Sequence, residues 1–455
     1  MAWQRLAPGG RAWPIAALGL AICAALWMTG PAESEETWAP AFLSGYAIAW
    51  VCYLLAGIIV TRSHALPRWV TVLVITFAIG LRLVALERTP PLSTDAYRYL
   101  WDGRVANEGT NPFMYPPNAA ELRGLRDDNW RQISFKQVPT IYPPGAQVLF
   151  RVLAYLRGSD IEAFRWTFAV FDVGIVLVLI ALLRRTGGPP ERVIWYAWCP
   201  LAITETTAGA HVDAVGLFLL MLALLLVLRG TRVAAVVGGI ALAGAVMTKG
   251  LAILAMPFLL RRGGWRLALG FAVACAALSA PYLGAGPQLF AGLRAYLGTW
   301  KANASIFLLL DGALGRMTDD HFRVTRWLTS GVVFLIVAAL AWKLKPGVKQ
   351  LLRAVFISLG VLLSFGAPTL PWYVIWVAPA LCWWAVPGLA LLTLTVSVQY
   401  YARWLYPGDR AAHYALLWAG YLPVYTLLIG QLIWRRVIER DRASATSAVG
   451  TQSTG

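Results

Sequence analysis

The segment from Pro90 to Phe113 carries the residue types best suited to acid–base chemistry. It reads Pro90-Pro91-Leu92-Ser93-Thr94-Asp95-Ala96-Tyr97-Arg98-Tyr99-Leu100-Trp101-Asp102-Gly103-Arg104 and runs on to Gly109-Thr110-Asn111-Pro112-Phe113. Two prolines before Ser93-Thr94 mark a helix start, and Gly109 with Pro112 marks its end. In that helix Asp95, Arg98 and Asp102 share one face, while Tyr97, Tyr99 and Trp101 spread over others. Asp95 falls in the first turn, where the helix dipole stabilises negative charge. A carboxylate there can accept a proton from an attacking hydroxyl. It can equally cap backbone N–H groups. Spacing alone leaves both readings open. Asp102, beside Gly103-Arg104, reads as one half of an ion pair.

A second set of polar residues interrupts apolar sequence. Lys249 separates Val233–Met247 from Leu251–Leu260. An ionisable group inside an apolar run is expensive, so it marks a functional site or a lysine snorkelling to an interface. Asp172 and Glu205 also sit in apolar runs. Asp172 needs a cation, with Arg165 as one candidate, and Arg82 reads either as a snorkelling residue or as a partner for Asp102. Thr207 and His211 share a helix face, with Glu205 off it. His211 and Asp213 are too few to define a metal site. They read as orienting or acceptor-binding groups, or as a capped turn. Tyr142, Trp372 and Tyr373 can stack on a sugar or an isoprenoid, or act as interfacial aromatics.

These groups must be positioned by membrane-spanning elements. The chain has 455 residues, 59% hydrophobic and only 13% charged, with a mean hydropathy of +0.62. Soluble domains run near 45–50% apolar and about 25% charged. Disorder and a single soluble globule are therefore excluded. Apolar runs begin near 12–30, 41–61 and 69–87, and resume near 163–183, 193–209, 212–229, 232–248, 250–260 and 266–285. The last five lie near 326–342, 351–367, 371–387, 389–404 and 414–434. At roughly 20 residues per span, these predict an all-α polytopic bundle of about 11–14 transmembrane helices. The run at 250–260 is too short to span alone and pairs with 232–248 as a broken helix. The run at 12–30 follows Arg5 and Arg11 but lacks a clean cleavage site, so it reads as a helix and not a signal peptide.

The net charge of +17, from 39 Lys+Arg against 22 Asp+Glu, would suggest nucleic acid in a soluble protein. Here it follows the short breaks between spans, with anionic lipid or phosphate as a further role and no nucleic acid implied. Arg62 with Arg68, Arg184-Arg185 with Arg192, Arg229 with Arg232, Arg261-Arg262 with Arg266, Lys343 to Arg353, and Arg435 to Arg442 all fall on one side if both termini are cytoplasmic. Residues 88–162 and 286–325 then form outer loops, with helical segments facing outward. The expected organisation is N-terminal helices over 1–68, a transmembrane catalytic region over 69–434, and a disordered cytoplasmic tail over 435–455. The five cysteines all lie in apolar runs without a CxxC pair and read as core residues. No Walker loop, dinucleotide fingerprint or zinc spacing is present, so no cofactor and no metal is indicated.

The order of these motifs resembles the GT-C class of polytopic glycosyltransferases, and within it the mannosyltransferase-like glycosyltransferase family 87. The resemblance covers roughly 80–380. It rests on Asp95-Ala-Tyr97, Gly109 with Asn111-Pro112-Phe113, and Thr140-Ile141-Tyr142-Pro143-Pro144-Gly145. It also rests on Cys199-Pro200-Leu201, Glu205, Gly209, His211-Val212-Asp213, Thr248-Lys249-Gly250 and Pro371-Trp372-Tyr373. Tyr97 stands where some members carry a second acidic residue, so the resemblance does not carry a divalent metal with it. It implies transfer of a hexose, mannose above others, from a polyprenyl-phosphate carrier to an acceptor hydroxyl of a lipid or glycan, with inversion, on the outer face of a bacterial inner membrane. In that reading Asp95 is the general base. Lys249, Arg98 and Arg104 hold the donor phosphate. Tyr97, Asp102, Tyr142, Glu205, His211, Asp213, Trp372 and Tyr373 line the substrates. Membrane lipids are the remaining partner. Rival readings are a lipid-linked glycan polymerase or ligase, whose large loop usually comes late, a polytopic transporter, which predicts paired halves, and a non-catalytic subunit.

Overall fold

The computed structural model describes residues 12–30, 35–63, 66–89, 93–397, 400 and 408–452; for 35–39, 410 and 435–452 it describes the backbone alone. Arg5, Arg11 and Glu33 lie outside the described residues. The first helices are α1 (Trp13–Trp27), α2 (Glu35–Arg62) and α3 (Trp69–Arg88). The first loop holds α4 (Asp95–Asn107) and α5 (Pro144–Arg157), and α6 (Glu162–Arg185) returns from it. Then follow α7 (Asp213–Val227), α8 (Arg232–Thr248), α9 (Met256–Ser279), α10 (Ala291–Thr299), α11 (Ile306–Leu314), α12 (His321–Trp342), α13 (Val348–Phe365), α14 (Pro387–Thr395) and α15 (Arg410–Gln452). The described residues form no named strand; one isolated bridge joins Ala302 and Pro368.

Among the described residues, seven helices are long and apolar enough to cross a membrane, or eight if one bent pair is a single span. This is fewer than the eleven to fourteen runs suggest, and the reason is local. The apolar run at 193–209 breaks at Pro200 into pieces of four and five residues. The run at 371–387 folds as a four-residue helix and a 3₁₀ turn around Pro371 and Pro379. Proline lacks the N–H that a continuing helix needs. α1 and α8, at 15 and 17 residues, are shorter than the hydrocarbon core requires of a straight helix. α15 continues to Gln452, into the segment read from composition as a disordered tail, because its alanines and arginines are good helix formers.

The bent pair is the feature that most affects the site. Pro200–Ala208 and Asp213–Val227 meet at 118°. Thr204–Ala208 is a π-turn, and Ala210 takes a left-handed φ of 50°. Such π-turns often mark functional positions. The chain also breaks between 232–248 and 250–260, where Lys249 leaves the helix in an extended conformation before a 3₁₀ turn.

One small residue sets how closely the loop helices approach. A Cβ at Gly103 would run into the Phe150 carbonyl, so only glycine lets α4 lie directly on α5. Tyr99 of α4 stacks on Phe150 of α5 with centroids 4.5 Å apart and meets Tyr142 edge-on at 4.9 Å. That packing carries the segment before α5 to the N-terminus of α4.

Candidate active site

Asp95 is the first residue of α4 and is half-buried. Its side chain does not cap its own helix; Ser93 Oγ accepts from the Asp95 N–H at 3.2 Å instead. Its carboxylate accepts a hydrogen bond from the Tyr142 hydroxyl at 3.1 Å. Burial first, and then the charge of Asp95, push the Tyr142 phenol well above its ordinary value. It therefore stays protonated and donates. The helix-capping reading of Asp95 thus gives way to a carboxylate turned toward a neighbouring element.

Lys249 Nζ lies 5.7 Å from the Tyr142 ring centroid and 4.9 Å from that of Tyr373. It donates to Asp213 Oδ2 at 2.9 Å, and Trp376 Nε1 donates to Asp213 Oδ1 at 2.7 Å. The Tyr373 and Tyr296 hydroxyls meet at 2.6 Å. Next to this, His211 stacks on Trp372 with centroids 3.9 Å apart. His211 Nδ1 faces the Glu205 carbonyl at 2.9 Å and its carboxylate at 3.2 Å, while the Tyr400 hydroxyl donates to the same carboxylate at 3.0 Å. His211 Nε2 is buried with no partner among the described residues.

Chain-distant residues therefore meet: Asp95 and Tyr142 from the first loop, Glu205, His211 and Asp213 from the bent pair, Lys249 from the end of α8, and Trp372 with Tyr373 from the broken run. Aromatic faces beside a carboxylate and an ammonium suit a pyranose, whose C–H faces stack and whose hydroxyls bond to the polar edge.

Other expected residues go elsewhere. Arg98 and Asp102 pair at 2.8 Å on the predicted face. Arg98 also donates to the Val138 carbonyl at 3.1 Å, and Gln147 donates to Asp102 at 3.2 Å and to Thr140 at 2.8 Å. The pair thus braces the loop that carries Tyr142. Arg104 pairs with Asp127. Tyr97 packs against the apolar cluster of Trp101, Val105, Leu122 and Ile133. Arg82 joins Asp172 at 2.7 Å and not Asp102. Arg165 pairs with Glu162 and donates to the carbonyls of Ala85, Leu86 and Thr89, because α6 begins beside the end of α3. Sequence reading missed Trp376, Tyr296 and Tyr400, one aromatic among many with no charge to single it out. Among the described residues, no group of three or more His, Cys, Asp or Glu is placed to hold a metal ion.

Residues 14–262 match the family model described as "Alpha-(1->6)-mannopyranosyltransferase, N-terminal domain". The chain is 24% identical over 457 aligned positions to a "Probable alpha-(1->6)-mannopyranosyltransferase" of Mycolicibacterium smegmatis, covering 86% of this chain and 78% of that protein. It is also 24% identical to alpha-(1->6)-mannopyranosyltransferase A of Mycobacterium tuberculosis, covering 64% of this chain and 61% of that one. Among solved structures, it is similar to ArnT from Cupriavidus metallidurans bound to undecaprenyl phosphate, at 16% identity and a TM-score of 0.46, over 81% of this chain and 72% of that chain. It is also similar to the archaeal oligosaccharyltransferase AglB from Archaeoglobus fulgidus in complex with an inhibitory peptide and a dolichol-phosphate, at 12% identity and a TM-score of 0.39, over 80% of this chain and 56% of that one.

Proposed function

The chain belongs to the alpha-(1->6)-mannopyranosyltransferase family, and from that premise we propose that it moves mannose from a polyprenyl-phosphate carrier to an acceptor's primary hydroxyl, with inversion, on the outer face of the membrane. The observation that carries this reading is the half-buried Asp95 carboxylate, held by Tyr142 beside the Lys249 ammonium and the faces of Tyr142, Trp372 and Tyr373. The names of the relatives supply the linkage: an alpha-(1->6) bond is made to the hydroxyl on C6. An inverting enzyme that makes an α-bond consumes a β-linked donor.

In this reading one Asp95 oxygen receives the proton of the acceptor hydroxyl as its oxygen attacks the anomeric carbon. The bond between that carbon and the phosphate oxygen breaks on the opposite side, and the polyprenyl phosphate departs with the electron pair. Tyr142 holds the carboxylate in register. Asp213 and Trp376 hold Lys249 toward the reacting region, where its positive end favours the growing charge of the leaving group. His211 Nε2, buried and unpartnered among the described residues, is suited to a sugar hydroxyl.

The test is mannose transfer from a labelled polyprenyl-phosphate-mannose, with purified wild type and Asp95→Asn compared side by side. Asp95→Asn is nearly isosteric and removes proton acceptance, so transfer should fall roughly 10²- to 10⁴-fold while thermal unfolding stays unchanged. Turnover of the variant at the wild-type rate would sink the general-base assignment.

A further inference from the structure

The later loop bears on both halves of the active site. α10 carries Gly292 and Tyr296 four residues apart, a spacing that puts them on one helix face. Leu293 and Leu297 lie off that face and are exposed. Gly292 is buried, and a Cβ there would run into the carbonyls of Pro139 and Thr140. Only glycine therefore lets α10 rest on the segment that leads into Tyr142. One turn further on, the Tyr296 hydroxyl meets that of Tyr373 at 2.6 Å. The same face thus touches the Tyr142 segment with one residue and the aromatic wall with the next.

Contacts on either side of α10 hold it in this place. Before it, Asn111 Nδ2 donates to the Tyr282 carbonyl at 3.1 Å, and the Phe113 ring meets that of Tyr282 edge-on at 5.5 Å. After it, the Trp300 ring lies 4.6 Å from Phe135 of the first loop and 5.6 Å from Tyr296. The chain then forms a clip. The Ala302 N–H donates to the Ala367 carbonyl at 3.2 Å, and the Thr369 N–H donates to the Ala302 carbonyl at 2.8 Å. Asn303 takes a left-handed φ of 51°, which asparagine tolerates better than most side chains, and its Nδ2 donates to the Thr369 carbonyl at 3.0 Å. The clip runs straight into Pro371-Trp372-Tyr373.

The consequence is a matter of distance. Asp95 and Tyr142 belong to the first loop, and Trp372 and Tyr373 to the broken run. Among the described residues no hydrogen bond joins the first pair to the second. Residues 291–303 reach both. A sugar stacked on the wall presents its reacting atoms to Asp95 only if the gap between the two is right, and an error of about 1 Å in such a gap costs on the order of a hundredfold in rate.

We propose that α10 and its clip are a spacer that sets the separation of the Asp95–Tyr142 pair from the Trp372–Tyr373 wall, with Gly292 and Tyr296 as its positioning residues. The proposal rests on the reading that one bound sugar uses both. The spacer acts on the chemical step more than on donor affinity, because a displaced wall still offers its faces to the sugar while the reacting atoms move out of line.

The experiment compares wild type, Gly292→Ala and Tyr296→Phe as full-length proteins in nanodiscs. Mannose transfer from labelled decaprenyl-phosphate-mannose gives kcat, native mass spectrometry gives donor binding, and thermal unfolding reports the fold. Gly292→Ala should lower kcat roughly a hundredfold with little change in donor binding. Tyr296→Phe removes one hydroxyl and keeps the ring on Trp300, so kcat should fall about three- to tenfold. It carries the kinetic test alone if Gly292→Ala does not fold. Cryo-electron microscopy of the folded variants reads the separation of Tyr142 from Tyr373 directly, and it should differ from wild type. Wild-type kcat in a folded variant overturns the proposal, as does an unchanged separation. A loss confined to the unfolding midpoint also overturns it, since that marks a structural contact only. A loss confined to donor binding does the same, since that marks a ligand contact. Transfer by wild type with both variants equal to it removes the spacer and leaves the function. A changed separation with no transfer by wild type removes the function and leaves the spacer.

Discussion

Two buried acid–base pairs in this molecule have similar composition and different surroundings. Asp172 receives Arg82 at 2.7 Å, the Tyr196 hydroxyl at 2.6 Å and the Thr206 hydroxyl at 2.8 Å. Arg82 Nη1 also donates to the carbonyls of Ala78 and Ala197. Both side chains are almost fully enclosed, at 2% and 0% exposed. Asp213 receives Lys249 and Trp376, but Lys249 donates to no further group among the described residues and faces the rings of Tyr142 and Tyr373. The first network is sealed from any ligand by its enclosure and joins α3, α6 and the broken run into one body. The second keeps an ammonium with unused donors beside aromatic faces. Burial and charge are shared by both; the partial exposure of Lys249 beside aromatic faces distinguishes a site from a brace.

The comparison can be broken at either pair. The largest effect on the fold is expected at Asp172→Ala, which strands Arg82 in an enclosed position. Removing one partner of a buried pair costs about 3–5 kcal/mol, so the midpoint of detergent-solubilised thermal unfolding should fall steeply. A midpoint equal to wild type would mean that the network is not a brace. Lys249→Gln keeps a donor, one bond nearer the backbone, while removing charge. It should raise the donor KM by roughly tenfold, about 1.4 kcal/mol, with a much smaller loss of stability than Asp172→Ala. A stability loss equal to that of Asp172→Ala, with normal donor kinetics, would place Lys249 among the braces. The smallest effect is expected at Tyr142→Phe. It deletes one hydrogen bond to Asp95 and leaves the ring that Tyr99 packs against, so kcat should drop about three- to tenfold at roughly 0.5–1.5 kcal/mol. Loss of all transfer would instead give Tyr142 a direct part in the chemistry.

A further contrast separates the two loops. In the first, Arg98–Asp102 and Arg104–Asp127 neutralise each other and spend their bonds on shaping the backbone around Thr140 and Tyr142. In the later loop, Lys301 and His321 share Asp311, while Arg326 lies over the Phe322 ring with no carboxylate partner among the described residues. Basic residues are abundant in both stretches of sequence. Their net charge depends on which carboxylates the fold delivers to them, and spacing does not encode that across a hundred residues.

Much was determined by sequence alone. Apolar runs of membrane length require helices, because an unpaired backbone group in hydrocarbon is too costly. The Pro-Pro-Leu-Ser-Thr start placed Asp95 in a helix's first turn, and the three- and seven-residue spacings placed Arg98 and Asp102 on its face. A lysine between two apolar runs was bound to need a partner. Tertiary structure alone decided who those partners are. Asp95 turned to Tyr142, Lys249 to Asp213, Arg82 to Asp172 and Arg165 to the end of α3, each across tens of residues. It also decided where helices stop: prolines at 200, 371 and 379 turned apolar runs into short turns, and the bend before Asp213 brought His211 against Trp372. Local periodicity records which face a residue occupies. Which element packs against that face depends on how the whole bundle closes, and that is a property of no single segment.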